Sequence, residues 1–203
     1  MYKVGVVIFP GSNCEQETIR FLQTYKEFEV STIWHKETSV PKLDMYVLPG
    51  GFSYGDYLRA GILGSLSPVM NDIEKYANDG RKVLGICNGF QILCERKILS
   101  GVLRKNINSR FICKNVMLYD NHLTRFTVPI AHGEGRYYNE DFYSFEVAYR
   151  YSPPNDNGSL HAIAGIYNNK FNVLGMMPHP ERAYEEHHES QDGYKIMNRF
   201  LEK

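Results

Sequence analysis

Arg81-Lys82-Val83-Leu84-Gly85-Ile86 runs directly into Cys87-Asn88-Gly89, and then into Phe90-Gln91-Ile92-Leu93-Cys94-Glu95. The first stretch is apolar enough to be a buried strand and the last is apolar enough to begin a helix, so only a sharp turn is left between them. A strand that turns at once into a helix is the joint of an α/β sheet. The turn has the form Gly-x-Cys-x-Gly, an elbow in which the central side chain is held clear of the sheet edge and the glycines remove steric obstruction.

The sequence on either side of this joint supports the same fold. Upstream, strands are expected at Lys3 to Phe9, Glu29 to Trp34 and Asp44 to Leu48, with a helix from about Cys14 to Tyr25. Ser12 and Glu15 suggest a capping box for that helix, and Ile19, Leu22 and Tyr25 should face the sheet. A second helix should begin near Pro68, capped by Ser67, and stop at Gly80. Downstream the pattern becomes strand-like at Phe111 to Tyr119, Arg125 to Ile130, Ser144 to Tyr151 and His161 to Tyr167, which predicts an antiparallel extension. Residues 152–159 read as a turn-rich loop, and a last helix runs from about Gln191 to Leu201 with Tyr194, Met197 and Leu201 on one side. There is no internal repeat and no low-complexity tract. The expected fold is α/β: a flavodoxin-like three-layer sandwich with a central, mostly parallel sheet, forming a single domain over 1–203.

Composition narrows the function. The 203 residues carry 23 Lys plus Arg and 23 Asp plus Glu, so no net field draws the chain to nucleic acid or to an anionic membrane. A small polar or zwitterionic substrate suits this balance. No apolar run approaches the roughly 20 residues of a membrane helix, and Met1-Tyr2-Lys3 leads into a strand rather than a cleavable leader, so a cytoplasmic protein is expected. Four cysteines at irregular spacing suit neither a disulfide framework nor a zinc motif. Cys94, inside an apolar helical run, Cys113, in a strand, and Cys14 read as inert packing thiols.

Cys87 reads differently, because it stands at a helix N-terminus whose free N–H groups favour a thiolate. It needs a proton acceptor. His179 follows the apolar run Val173 to Met177 between Pro178 and Pro180, and Glu181 lies two residues on. In an extended segment the two side chains share a face, where the carboxylate orients the imidazole. His132, in Ala131-His132-Gly133-Glu134-Gly135, is the main rival base, while His187-His188 reads as solvated. The backbone N–H of Asn88 points toward a developing oxyanion. Pro49-Gly50-Gly51-Phe52 offers a second donor, since paired glycines let amides approach a ligand. Gln91, one helical turn beyond Cys87, could bond a polar substrate.

Gly85-Ile86-Cys87-Asn88-Gly89-Phe90-Gln91, Pro49-Gly50-Gly51 and Pro178-His179-Pro180-Glu181 together resemble the nucleophile, oxyanion and His–Glu motifs of the class I (triad) glutamine amidotransferases. The stretch from Gly50 to Gly61, Ala131 to Gly135 and Met176 to Arg182 resemble more narrowly the glutaminase subunits of phosphoribosylformylglycinamidine synthases. The resemblance runs from Val4 to about Arg182, with departures at Ile62 to Leu66 and Glu185 to Glu189. It implies Cys87 as nucleophile, His179 as base and then acid, and Glu181 as orienter. It also implies Gly51 and Asn88 as oxyanion donors, with Gln91 near bound glutamine. The implied reaction supplies ammonia for the ATP-dependent conversion of formylglycinamide ribonucleotide in purine synthesis. No phosphate loop of the form G-x-x-x-x-G-K-[ST] occurs, so no cofactor is expected on this chain; the resemblance implies a separate synthetase partner that holds ATP and magnesium, accompanied by a small accessory subunit. Two rivals differ in class: a related cysteine hydrolase acting on another amide, and a flavodoxin-like binding module with an inert Cys87.

Overall fold

The computed structural model describes residues 1–141 and 144–203. Its strands are β1 (Tyr2–Ile8), β2 (Phe28–Trp34), β3 (Met45–Leu48), β4 (Lys82–Ile86), β5 (Val102–Arg104), β6 (Ile112–Tyr119), β7 (Arg125–His132), β8 (Arg136–Tyr138), β9 (Glu146–Tyr151), β10 (Ile163–Tyr167) and β11 (Val173–Met176). Its helices are α1 (Glu15–Gln23), α2 (Ile62–Ser65), α3 (Val69–Asn78), α4 (Asn88–Glu95) and α5 (Asp192–Glu202).

One sheet runs in the order β2-β1-β3-β4-β11-β10-β9-β6-β7. Its first five strands are parallel, in the 2-1-3-4-5 order of flavodoxin-like folds once β11 is counted as the fifth. β3 and β11 are buried at every residue, as the middle of a parallel sheet covered by helices must be, because both faces of each strand lose water. α4 packs on β3, β4 and β11, and α1 on β1 and β2. α1 turns Thr18, Phe21 and Leu22 inward, with Ile19 and Tyr25 half-buried beside them.

From β11 onward the remaining pairings are antiparallel, so the expected mixed sheet with an antiparallel extension is the one observed. This half curls back, and β7 comes to lie against the segment after β11. Several backbone groups of β7 that face away from β6 are occupied there. Pro129 O accepts the His179 N–H at 2.9 Å, Thr127 N–H donates to Asp192 Oδ2 at 2.7 Å, and Ser190 Oγ–H donates to Thr127 O.

Several local expectations are corrected. Ser12 caps no helix: its N–H and Oγ both bond Phe9 in a tight turn, and Cys14 is the residue before α1. Ser67 is likewise drawn away from α3, because its Oγ meets the Tyr54 hydroxyl at 3.0 Å and Pro68 takes the cap position. The inward face of α5 is Ile196, Met197 and Phe200, with Tyr194 and Leu201 only half-buried at its margins. The small β5–β8 pair and the one-turn α2 were not anticipated; each is too short to carry a period.

Candidate active site

β4 ends at Ile86, and the next residue, Cys87, takes φ +50° and ψ −103°. A side chain in that region costs about 1–3 kcal/mol and persists only where its surroundings enforce it. Here the enforcement is visible: Cys87 N–H donates to Met176 O on β11 at 2.8 Å, and α4 starts at the next residue. Gly89 completes the elbow, because a Cβ there would stand 2.0 Å from Leu48 O at the end of β3. The thiol, 5% exposed, points at the Ala131 carbonyl of β7, 3.8 Å away, and sits over the positive end of α4.

Beside it lies the loop after β3. Gly51 has φ +124°, and a side chain there would strike the Asn13 backbone at 2.7 Å. A Cβ on Gly50 would lie 2.8 Å from His179 Cε1 and 3.3 Å from Cys14 Sγ. The pair of glycines thus lets the backbone pass between the α1 entry turn and the imidazole. Asn88 locks the following turn: its Oδ1 accepts the Ser53 N–H at 3.1 Å, and its Nδ2 donates to Gln91 Oε1 at 2.9 Å. Gln91 Nε2 in turn donates to Glu134 O at 2.7 Å. The Gln91 amide therefore ties α4 to the segment after β7, with one acceptor and one donor already committed.

His179 and Glu181 are each 1% exposed. Nδ1 of His179 lies 2.6 Å from Glu181 Oε1, so the ring hydrogen sits on Nδ1 and is donated to the carboxylate. The two meet differently from the expectation: Pro180–Arg182 is a 3₁₀ turn rather than extended chain, and the turn folds Glu181 back under the ring. Among the described residues Glu181 Oε2 has no hydrogen-bond partner. Burial by itself disfavours the imidazolium; the charges of Glu181 and then Cys87 outweigh it and raise the imidazole above its ordinary pKa. Cys87 acts on the ring as a charge and also as a side-chain hydrogen-bond partner, and since Nδ1 is committed to Glu181 the nitrogen that faces the thiol is Nε2.

The sequence reading missed Cys14. Its sulfur lies in the same buried group as His179 and Glu181, and Arg182 Nη2 donates to it at 3.1 Å. Arg182 Nε also donates to Glu17 Oε2 at 2.7 Å, which clamps the 3₁₀ turn to α1. Only the position of Cys14 immediately before a helix hinted at this, because the contact spans most of the chain. His132 borders the site without replacing His179. Its Nδ1 meets Asn106 Oδ1 at 3.1 Å, and burial followed by repulsion from His179 lowers its pKa to about 4. His187 is exposed and pairs with Glu185, in line with the solvated reading, but His188 is half-buried and its Nδ1 accepts the N–H groups of Tyr184 and Glu185 at 3.1 and 3.0 Å.

A thiol at a strained strand-to-helix elbow, on the edge of a 2-1-3-4-5 sheet that also carries a buried imidazole–carboxylate pair, is the arrangement of the triad glutamine amidotransferases. Residues 1–196 match the family described as the CobB/CobQ-like glutamine amidotransferase domain, and the chain belongs to that family. Within it the similarity is to proteins named phosphoribosylformylglycinamidine synthase subunit PurQ. That of Salinibacter ruber is 43% identical over 224 residues, covering 98% of this chain and 95% of its own. That of Trichormus variabilis is 43% identical over 218 residues, covering 99% and 97%. In the structure of PurLQS from Thermotoga maritima, one chain is 39% identical and superposes with a TM-score of 0.91, covering 99% of this chain and 98% of that one.

Proposed function

We propose that this chain hydrolyses glutamine to glutamate and ammonia as the glutaminase subunit of a phosphoribosylformylglycinamidine synthase. Cys87 is the nucleophile, His179 the proton carrier and Glu181 its orienter. The observation that carries this reading is the buried imidazole of His179, held by the 2.6 Å Glu181 bond in the tautomer whose Nε2 can take the Cys87 proton. The Cys87 thiolate adds to the carboxamide carbon, and the oxygen becomes an oxyanion that the backbone N–H groups of Gly51 and Asn88 stabilise. His179 returns the proton to the departing nitrogen, ammonia leaves, and a glutamyl thioester remains on the sulfur. Water, losing a proton to His179, attacks the thioester; glutamate leaves and Cys87 regains its hydrogen.

Gln91 lines the glutamine pocket through the amide groups not committed to Asn88 and Glu134. The ammonia passes to a synthetase partner that holds ATP and magnesium and acts on formylglycinamide ribonucleotide, with a small accessory subunit in the complex. The setting is the cytoplasm; among the described residues no helix is long and apolar enough to cross a membrane. Glutamate release from glutamine, by the chain and by Cys87→Ala, each with and without the synthetase, ATP and formylglycinamide ribonucleotide, tests the reading. Release that needs Cys87 and rises with the partner is expected; no release in the complete mixture overturns it.

A further inference from the structure

The sulfur of Cys14, a ring nitrogen of His179 and a carboxylate oxygen of Glu181 lie within 4.8 Å of one another, and all three residues are buried. None of the glutaminase chemistry above uses Cys14. Thiolate, imidazole and carboxylate form a mixed donor set suited to zinc and its congeners rather than to magnesium or calcium. Around a tetrahedral zinc, with bonds of about 2.3 Å to sulfur and about 2.0 Å to nitrogen and oxygen, donors stand roughly 3.3–3.5 Å apart. To reach that spacing Nδ1 and the Glu181 oxygen, now 2.6 Å apart, must separate by about 0.7 Å as the hydrogen between them leaves. Glu181 Oε2, which has no hydrogen-bond partner among the described residues, is a free oxygen for the ion.

We propose that Cys14, His179 and Glu181 form an inhibitory site for a thiophilic divalent cation, zinc above all. The ring atom on the Cys14 side is Nδ1, because a Cβ placed on Gly50 would touch both Cys14 Sγ, at 3.3 Å, and the Cε1–Nδ1 edge of His179, at 2.8 and 3.4 Å. Coordination at Nδ1 displaces the hydrogen now donated to Glu181. The Cys14 thiol releases its proton to solvent, and the ring hydrogen moves from Nδ1 to Nε2. Nε2 then carries a hydrogen and cannot accept one from Cys87, so a cation bound on the far side of the imidazole blocks the base. Arg182, which now donates to Cys14, must withdraw. Its side chain borders a polar cavity of about 330 Å³ lined also by Glu17, Arg20 and Glu185, which gives the guanidinium room while Glu17 continues to hold it.

The inhibition half of the proposal rests on the glutaminase reading, and the binding half does not. The test uses the reduced, metal-free full chain titrated with cobalt(II), whose spectrum reports sulfur ligation and tetrahedral geometry, followed by competition with zinc. The chain and its Cys87→Ser variant should each take up a single cation with a sulfur-to-cobalt charge-transfer band. Cys14→Ser should lose that band and bind at least about tenfold more weakly. His179→Gln provides a second variant that must weaken binding to a similar degree, with circular dichroism confirming that each is folded. Zinc should suppress glutamate release by the chain and spare Cys14→Ser at the same concentration. Retention of the sulfur band in Cys14→Ser, its loss in Cys87→Ser alone, or no uptake at all overturns the proposal. A chain that binds cobalt as expected but releases no glutamate even in the complete mixture with the synthetase, ATP and formylglycinamide ribonucleotide leaves the site standing and removes the glutaminase reading instead.

Discussion

Gly50→Ala separates the placement of the imidazole from the stability of the fold. The backbone at Gly50 does not lie in the left-handed region, so alanine adds no conformational strain there. The added methyl carbon would stand 2.8 Å from His179 Cε1, about 0.6 Å short of the 3.4 Å where ordinary contact begins. The ring is held from behind by the Glu181 bond and the residue's backbone N–H is fixed on Pro129 O, so the ring cannot swing freely away. A displacement of about half an ångström or more follows; since about 1 Å of misplacement costs about 10²-fold, kcat for glutamate release should fall roughly ten- to a hundredfold. Overpacking of this kind costs about 1–3 kcal/mol of stability, which a protein of this size survives. Steady-state glutaminase assays of the full complex, paired with urea unfolding, read both quantities. A folded Gly50→Ala protein with unchanged kcat would refute the reasoning, because the imidazole would then tolerate displacement.

At Cys87 the usual order of residues should invert: Cys87→Gly should be more stable than Cys87→Ala by about 1–2 kcal/mol, since only glycine relaxes the positive φ, while both lack glutaminase activity. Equal urea midpoints for the two would show that the elbow is unstrained. His132 has a folded-state pKa lowered to about 4 from an ordinary 6.5, so below 6.5 the unfolded chain binds a proton that the folded chain refuses. Its contribution is complete above 6.5 and is lost as pH falls toward 4, by roughly 2–4 kcal/mol; unfolding curves of the protein and of His132→Gln should converge across that window, and parallel curves would remove His132 from the account. The Glu17–Arg182 pair is about one-third exposed, so a double-mutant cycle with Glu17→Gln and Arg182→Gln should return a coupling of only about 0.5–1 kcal/mol. The same variants should lower kcat more than they raise KM, because the clamp holds the turn bearing Glu181; an effect on KM alone would count against it.

What the sequence disclosed follows from the range of the forces involved. Arg81 to Glu95 was readable because burial on both faces of a central strand leaves an unbroken apolar run, and the elbow needs glycine on either side of its nucleophile. Pro178-His179-Pro180-Glu181 was readable as a pair but not as a shape. Extended chain and 3₁₀ turn both bring residues two apart together, and the prolines allow either. Ser12 and Ser67 carried the right local signal for helix caps, yet each found a competing partner in a turn or in Tyr54. The place of Cys14 was not readable, since its neighbours His179 and Arg182 arrive from the other end of the chain through the packing of α1 on the 180–182 turn. Val102-Leu103-Arg104 and Arg136-Tyr137-Tyr138 pair only because the loops on either side bring them together, and three residues display no alternation.

β7 is the last strand of its sheet, and such a strand ordinarily offers a row of unpaired amides and carbonyls on which a second chain can add. Here successive outward positions are occupied: Thr127 by Ser190 and Asp192, Pro129 by His179, and Ala131 by the thiol of Cys87. Pro129 also has no N–H to offer. The loop that carries His179 and Glu181 is therefore the seal on the border of the sheet. A chain in which residues 177–192 lift away would expose at once the Cys87 thiol and a sticky strand, so loss of glutaminase activity and onset of aggregation should set in together as this one segment detaches.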